Sequence, residues 1–93
     1  MAQIQEITEV EIRDKIKIFI RENFLLGDSS KTVNDNDSFL EKGIIDSTGV
    51  LELVSFIEET FNFRVEDEEL MPDNLDSLNK LVSYTKRKTG YAG

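Results

Sequence analysis

The side chains with the most distinctive chemistry in this sequence are three consecutive oxygen-bearing ones, Asp46, Ser47 and Thr48. These residue types favour a helix start, because their side-chain oxygens accept hydrogen bonds from backbone N–H groups that lack partners there. Apolar residues at helical spacing follow at Val50, Leu53, Val54, Ile57 and Phe61. We therefore expect Ser47 to lie at the start of an amphipathic helix over residues 47–61, with its hydroxyl facing solvent.

Other kinds of reactive site have little support. The sequence has no histidine and no cysteine, which removes the usual zinc ligands, nucleophilic triads and proton shuttles and leaves no metal site to predict. Any thiol that acts here must come from a prosthetic group. An enzyme that uses carboxylates remains formally open, although no pair of carboxylates is distinguished by spacing or by expected burial. A calcium loop beginning at Asp35 fails, because Phe39 and Leu40 occupy its fifth and sixth positions.

The length and composition indicate one small domain over residues 1–93. Apolar residues make up 39% of the 93 residues, which allows a modest core. No apolar run approaches membrane-spanning length, and residues 1–5 lack the order of a secretory signal. The absence of cysteine fits a reducing compartment, so we expect a cytoplasmic protein. We also expect the protein to be a monomer.

Acidic residues are concentrated after the Asp46–Thr48 junction. Between residues 46 and 76 there are ten acidic residues against one basic residue, Arg64, in a chain of net charge −8. Such a surface repels nucleic acid and anionic membranes and attracts basic protein surfaces. A solvated acidic face that only aids solubility remains the alternative. The clustering around Ser47 favours a docking surface.

The first helix is predicted over residues 9–25. Thr8 and Glu11 have the spacing of a capping box, with Ile7 and Ile12 placed as a hydrophobic staple. Gly27 is a plausible stop. The long loop that follows needs apolar side chains to attach it to the body of the domain. The candidates are Val33, Phe39, Leu40, Ile44 and Ile45.

In the second helix, two side chains fall off the apolar stripe. Leu51, one turn after Ser47, is predicted to be exposed beside acidic residues, as in an apolar docking anchor with an acidic rim. Phe56 is expected to pack against the first helix or the loop. The polar side of the helix, a candidate docking face together with Leu51, carries Thr48, Glu52, Ser55, Glu58 and Glu59.

The last third of the chain predicts two further helical segments. Residues 66–71 suit one short turn, ended by Pro72. Residues 73–77 are predicted to form a loop that buries the apolar side chain of Leu75. A final helix over residues 78–88 is capped by Asp76 or Ser77 and followed by Gly90, with Tyr84 at the margin of its apolar stripe. Lys86, Arg87 and Lys88 fall in its last turn, where cations suit the helix dipole. The sequence therefore predicts an all-α fold, a small four-helix bundle with three long helices, one short third helix and a long first loop.

Acyl carrier proteins resemble this chain around Ser47, in the run Gly43–Ser47, in Glu52-Leu53 and in Glu58-Glu59-x-Phe61. The weaker resemblance over nearly the whole chain includes the four-helix fold. It implies a non-catalytic carrier in which Ser47, preceded by the motif residue Asp46, is esterified to 4′-phosphopantetheine by a phosphopantetheinyl transferase. The arm then holds acyl groups as thioesters. The implied partners are loading ligases, synthases and transferases with basic docking surfaces.

The residues after Ser47 differ from the pattern of fatty-acid synthesis. In that pattern, Thr48 and Gly49 are commonly Leu and an acidic residue, and Ser55 is commonly Met. Glycine at position 49 is similar to stand-alone carriers of amino acids, such as D-alanyl carrier proteins. The resemblance thus leaves fatty-acid, polyketide-like and aminoacyl cargo open. The competing class is a small acidic helical adaptor in which Ser47 is only a helix cap.

Overall fold

The computed structural model describes residues 8–25 and 32–89, and this part of the chain is helical without a strand. It contains four α-helices: α1 (Glu9–Ile20), α2 (Ser47–Phe61), α3 (Pro72–Leu75) and α4 (Leu78–Thr89). A π-helical turn, Arg21–Leu25, continues α1, so residues 9–25 are helical as predicted. A 3₁₀ turn, Asp67–Glu69, lies before α3.

The start of α1 has the predicted capping box. Oγ1 of Thr8 accepts a hydrogen bond from the backbone N–H of Glu11 at 3.1 Å, and Oε1 of Glu11 accepts one from the N–H of Thr8 at 3.0 Å. The predictions for residues 1–5, Ile7, Gly27 and Gly90 lie outside the described residues. None of the helices in the described ranges is long and apolar enough to cross a membrane.

Helix α4 is central to the core, because it contacts each of the other three helices. The buried side chains of α2 belong to its predicted apolar stripe: Leu53, Val54, Ile57 and Phe61. They pack with the buried side chains Ile12, Ile16 and Ile20 of α1 and Leu78, Leu81, Val82 and Thr85 of α4, which also recur at helical spacing. Tyr84 was predicted at the margin, but it is 1% exposed. Its burial is possible because its hydroxyl donates a hydrogen bond to Oε1 of Glu69 at 2.8 Å.

The loop before α2 is attached to the body of the domain by both apolar and polar contacts. Phe39 and Ile45 are buried as predicted, and Val33 and Ile44 are half-buried. Leu40 is instead 43% exposed. Its backbone, not its side chain, makes the attachment: the N–H of Leu40 donates to Oδ1 of Asp76 at 3.0 Å, next to a bond from the N–H of Phe39 to the Asp76 carbonyl.

The region around Pro72 differs from its prediction. Pro72 does not only end the preceding turn; it is the first residue of α3, a position where a missing N–H costs nothing. Residues 73–75 are therefore helical rather than loop, although Leu75 is buried as predicted. Oγ of Ser77 accepts a hydrogen bond from the N–H of Lys80 at 3.1 Å, so Ser77 is the residue that caps α4.

Candidate functional site

The candidate site lies where the loop enters α2. Asp46 is the N-cap of this helix: its backbone is extended and its Oδ1 accepts a hydrogen bond from the N–H of Gly49 at 2.7 Å. Ser47 is the first helical residue and is exposed. The capping role thus belongs to Asp46, and the Ser47 side chain is placed at the positive end of the helix dipole without having to serve as the cap.

An apolar cavity of about 200 Å³ opens beside Ser47. One side is formed by α2 through Val50 and Leu51, and the other by the segment that contains α3, through Leu70, Met71 and Leu75; Leu40 of the loop also lines it. Leu51 is 59% exposed, as predicted. A hydroxyl and an apolar cavity thus share one opening, which suits a polar attachment point with an apolar group beyond it.

Three apolar residues of this site were not predicted from the sequence: Leu40, Leu70 and Met71. All three are between 41% and 43% exposed, a high value for large apolar side chains. A signal was present in the sequence, since Leu70 and Met71 form an apolar pair directly after four acidic residues. Their proximity to Ser47, however, depends on how α3 packs, and that is a long-range property.

Most of the predicted docking residues lie on the exposed side of α2. Thr48, Leu51, Glu52, Ser55 and Glu59 are exposed. Glu58 is different: it is half-buried, and its Oε2 accepts a hydrogen bond from the N–H of Val65 at 2.8 Å. Glu58 therefore holds the chain after α2 in place, and its carboxylate is already engaged within the domain.

The segment next to the cavity is tied to α4 by Glu69. Its carboxylate accepts hydrogen bonds from Nζ of Lys88 at 2.9 Å and from the hydroxyl of Tyr84 at 2.8 Å. The Lys88 hydrogen bond is the main cause of a Glu69 pKa lowered to about 2, helped by the N–H of Glu66. Burial, and then the hydrogen bond to Glu69, raise the pKa of Tyr84 above its ordinary value.

The basic residues at the end of α4 interact within the domain. Nζ of Lys86 donates to Oε1 of Glu9 at 2.9 Å, and Nη2 of Arg87 donates to Oδ1 of Asn74 at 3.1 Å. Together with Lys88 they occupy the last turn of α4, as predicted. Among the described residues, no group of three or more His, Cys, Asp or Glu side chains is placed to hold a metal ion.

These features define a small helical domain with an exposed serine at a helix start, beside an apolar cavity. The family described as "Phosphopantetheine attachment site" matches residues 25–85. The chain is 31% identical over 81 residues to the acyl carrier protein of Chlamydia caviae, covering 87% of this chain and 100% of that protein. It is 28% identical over 81 residues to the acyl carrier protein of Chlamydia felis, covering 87% and 99%. The chain belongs to the acyl carrier protein family.

Membership of this family implies a covalently attached 4′-phosphopantetheine. The described residues fit such a group. The exposed Ser47 offers a hydroxyl at a helix N-terminus, which favours the negative charge of a phosphate. The adjacent cavity offers apolar contacts to whatever is attached beyond the phosphate.

Proposed function

We propose that Ser47 is the attachment point of the phosphopantetheine arm and that this chain is a non-catalytic carrier. A phosphopantetheinyl transferase joins the arm of coenzyme A to Oγ of Ser47 as a phosphodiester. The serine oxygen displaces 3′,5′-adenosine bisphosphate at the pantetheine-bearing phosphorus, so the pyrophosphate bond of coenzyme A breaks and the hydroxyl proton is lost. When bound, the arm supplies the thiol that this cysteine-free chain lacks, and the thiol carries acyl groups as thioesters. The whole chain, residues 1–93, forms one carrier domain, with its helices arranged as a four-helix bundle.

The observation that carries this proposal is the division of roles between Asp46 and Ser47. Asp46 caps α2, so the exposed hydroxyl of Ser47 is available for a covalent bond. The same observation removes the capping role that the adaptor alternative gives to Ser47. The phosphate would lie at the N-terminus of α2, where backbone N–H groups and the helix dipole stabilise negative charge.

The exposed face of α2 is suited to brief contacts with basic partner enzymes. Leu51 provides an apolar anchor, and Glu52 and Glu59 provide an acidic rim. Charges on the rim of an interface mainly raise the association rate, while a small apolar contact allows rapid release. We therefore assign docking of the transferase, and of loading and synthase enzymes, to this face. It comprises Thr48, Leu51, Glu52, Ser55 and Glu59, with the half-buried Glu58 at its margin.

The cavity beside Ser47 is the proposed resting place of the cargo. Its apolar lining favours an acyl chain of a fatty-acid or polyketide-like pathway over a charged aminoacyl group. A direct comparison tests this preference: the holo protein is loaded chemically with a short acyl chain or with an amino acid, and melting temperatures are measured. The acyl form is expected to be the more stable. Equal stability would leave the cavity without a role in cargo binding.

Intact mass spectrometry tests the carrier function itself. The protein is incubated with coenzyme A and a broad-specificity phosphopantetheinyl transferase, beside the Ser47→Ala variant and, as a control, the Ser83→Ala variant at an exposed serine of α4. The wild type and Ser83→Ala are expected to gain the mass of one phosphopantetheine, and Ser47→Ala none. A folded wild-type protein that gains nothing with several transferases would contradict the proposal.

A further inference from the structure

The first turn of α2 packs very closely on the end of α1. Gly49 is buried, and a Cβ atom at this position would lie 2.7 Å from Cε1 of Phe24, 3.0 Å from Cγ2 of Ile45 and 3.2 Å from Oδ1 of Asp46. Ordinary van der Waals contacts begin at 3.4 Å. Apart from proline, glycine is the least favourable residue in a helix, so its use here needs a reason. The reason is that the ring of Phe24 occupies the space that a larger side chain at position 49 would need.

The ring of Phe24 is half-buried and packs against another aromatic side chain on one side. It belongs to the π-helical turn Arg21–Leu25, a type of distortion that often occurs at functional sites. It makes an edge-to-face contact with Phe19, with ring centroids 5.8 Å apart. Phe19 in turn stacks on Phe56 of α2 at 4.2 Å, as the sequence predicted for Phe56. These rings hold Phe24 between α1 and the start of α2.

The close packing of Gly49 on Phe24 lies next to the residues that precede Ser47, the candidate attachment point. Two of the three atoms nearest to a Cβ at position 49 belong to Ile45 and Asp46, the residues immediately before Ser47. The third belongs to Phe24. A side chain at position 49 would therefore be too close both to the cap residue Asp46 and to the ring of Phe24. Ser47 would shift relative to the rest of the domain.

We propose that Phe24 and Gly49 are positioning residues, whose contact fixes the cap of α2 and so places the Ser47 hydroxyl for modification. This inference rests on the proposed function, because it concerns the same serine. It also gives Gly49 a structural role within the chain, separate from any contact with a partner enzyme.

The test compares the rates at which a phosphopantetheinyl transferase modifies the wild type, Gly49→Ala, Phe24→Leu and the double variant. The full-length apo protein is used throughout. Gly49→Ala is expected to lower kcat/KM about tenfold or more, mainly through kcat, because the exposed docking face of α2 is unchanged while the reacting hydroxyl is displaced. The smaller leucine side chain makes room for the new methyl group. The double variant is therefore expected to recover most of the rate.

A variant with reduced stability far from Ser47 separates positioning from a general loss of stability. Ile12 is buried near the opposite end of α1, and Ile12→Val is expected to lower the melting temperature while leaving kcat/KM unchanged. Circular dichroism shows which variants are folded. If Gly49→Ala does not fold, recovery of both folding and rate in the double variant still supports the contact.

Three results would overturn the inference: a folded Gly49→Ala with the wild-type rate, a rate loss that follows melting temperature across all variants including Ile12→Val, or a double variant no better than Gly49→Ala. A wild-type protein that is never modified is a different result. It contradicts the proposed function itself.

Discussion

Asp46 and Gly49 are joined by a 2.7 Å hydrogen bond from the backbone N–H of Gly49 to Oδ1 of Asp46. This bond makes Asp46 the N-cap of α2, and its neighbour Ser47 is the exposed first residue of the helix. The capping role and the proposed attachment of the arm thus fall on adjacent side chains. This division can be tested by substituting each residue separately.

Asp46→Ala is expected to lower the free energy of unfolding by about 1 kcal/mol, because the N–H of Gly49 loses its acceptor. Asp46→Asn keeps an acceptor oxygen and should retain most of the stability. Ser47→Ala should change stability by less than about 0.5 kcal/mol, since the serine does not cap the helix. Urea unfolding followed by circular dichroism measures all three. Equal destabilisation by Ser47→Ala and Asp46→Ala would show that Ser47 shares the capping role.

Glu58 and Glu59 form a matched pair of adjacent carboxylates with different roles. Glu58→Ala leaves the buried N–H of Val65 without its 2.8 Å partner and is expected to cost about 1 kcal/mol or more of stability. Glu59→Ala should leave stability almost unchanged but slow modification by the transferase at low salt, because it removes a charge from the proposed docking face. Denaturant unfolding and modification rates at two salt concentrations measure both effects. The opposite pattern would exclude Glu59 from docking.

The hydrogen bonds of Glu69 predict acid sensitivity. Its pKa is lowered from 4.5 to about 2, chiefly by the hydrogen bond from Lys88. Stability from this carboxylate is therefore fully present above pH 4.5 and is lost as the pH falls towards 2. Glu69→Gln cannot titrate, so its melting temperature should fall less than that of the wild type over this range. Parallel pH profiles of the two proteins would show that Glu69 makes no net contribution in the folded state.

Thr85 offers a stabilising substitution. Its side chain is fully buried in α4, and its Oγ1 has no hydrogen-bond partner among the described residues. Thr85→Val keeps the shape and removes the unpaired hydroxyl, so we expect a gain of about 1 kcal/mol in the free energy of unfolding. The same exchange at the exposed Thr89 is the control and should bring no gain. A loss of stability in Thr85→Val would mean that the hydroxyl does have a partner.

The helices could be predicted from the sequence because their signals are local. The bounds of α2 agree with the prediction, and the capping box at Thr8 and the buried faces of α1 and α4 follow from residue types at fixed spacing. The same holds for the exposure of Leu51.

The features that were missed depend on contacts between distant parts of the chain. Tyr84 is buried with its hydroxyl hydrogen-bonded to Glu69. The side chain of Leu40 is exposed, while its backbone N–H donates to Asp76. In the sequence, Gly49 differs from the acidic residue that carriers of fatty-acid synthesis commonly have at this position. The structure adds the packing reason, the ring of Phe24, which helical periodicity does not reveal.

The most direct test of the proposed carrier function is to locate the atom that carries phosphopantetheine. After incubation with coenzyme A and a phosphopantetheinyl transferase, trypsin releases a peptide from Gly43 to Arg64, because no lysine or arginine lies between Lys42 and Arg64. Tandem mass spectrometry of this peptide distinguishes Ser47 from the adjacent Thr48. We expect phosphopantetheine on Ser47 alone. Attachment at Thr48, or no attachment to a folded protein, would contradict this expectation.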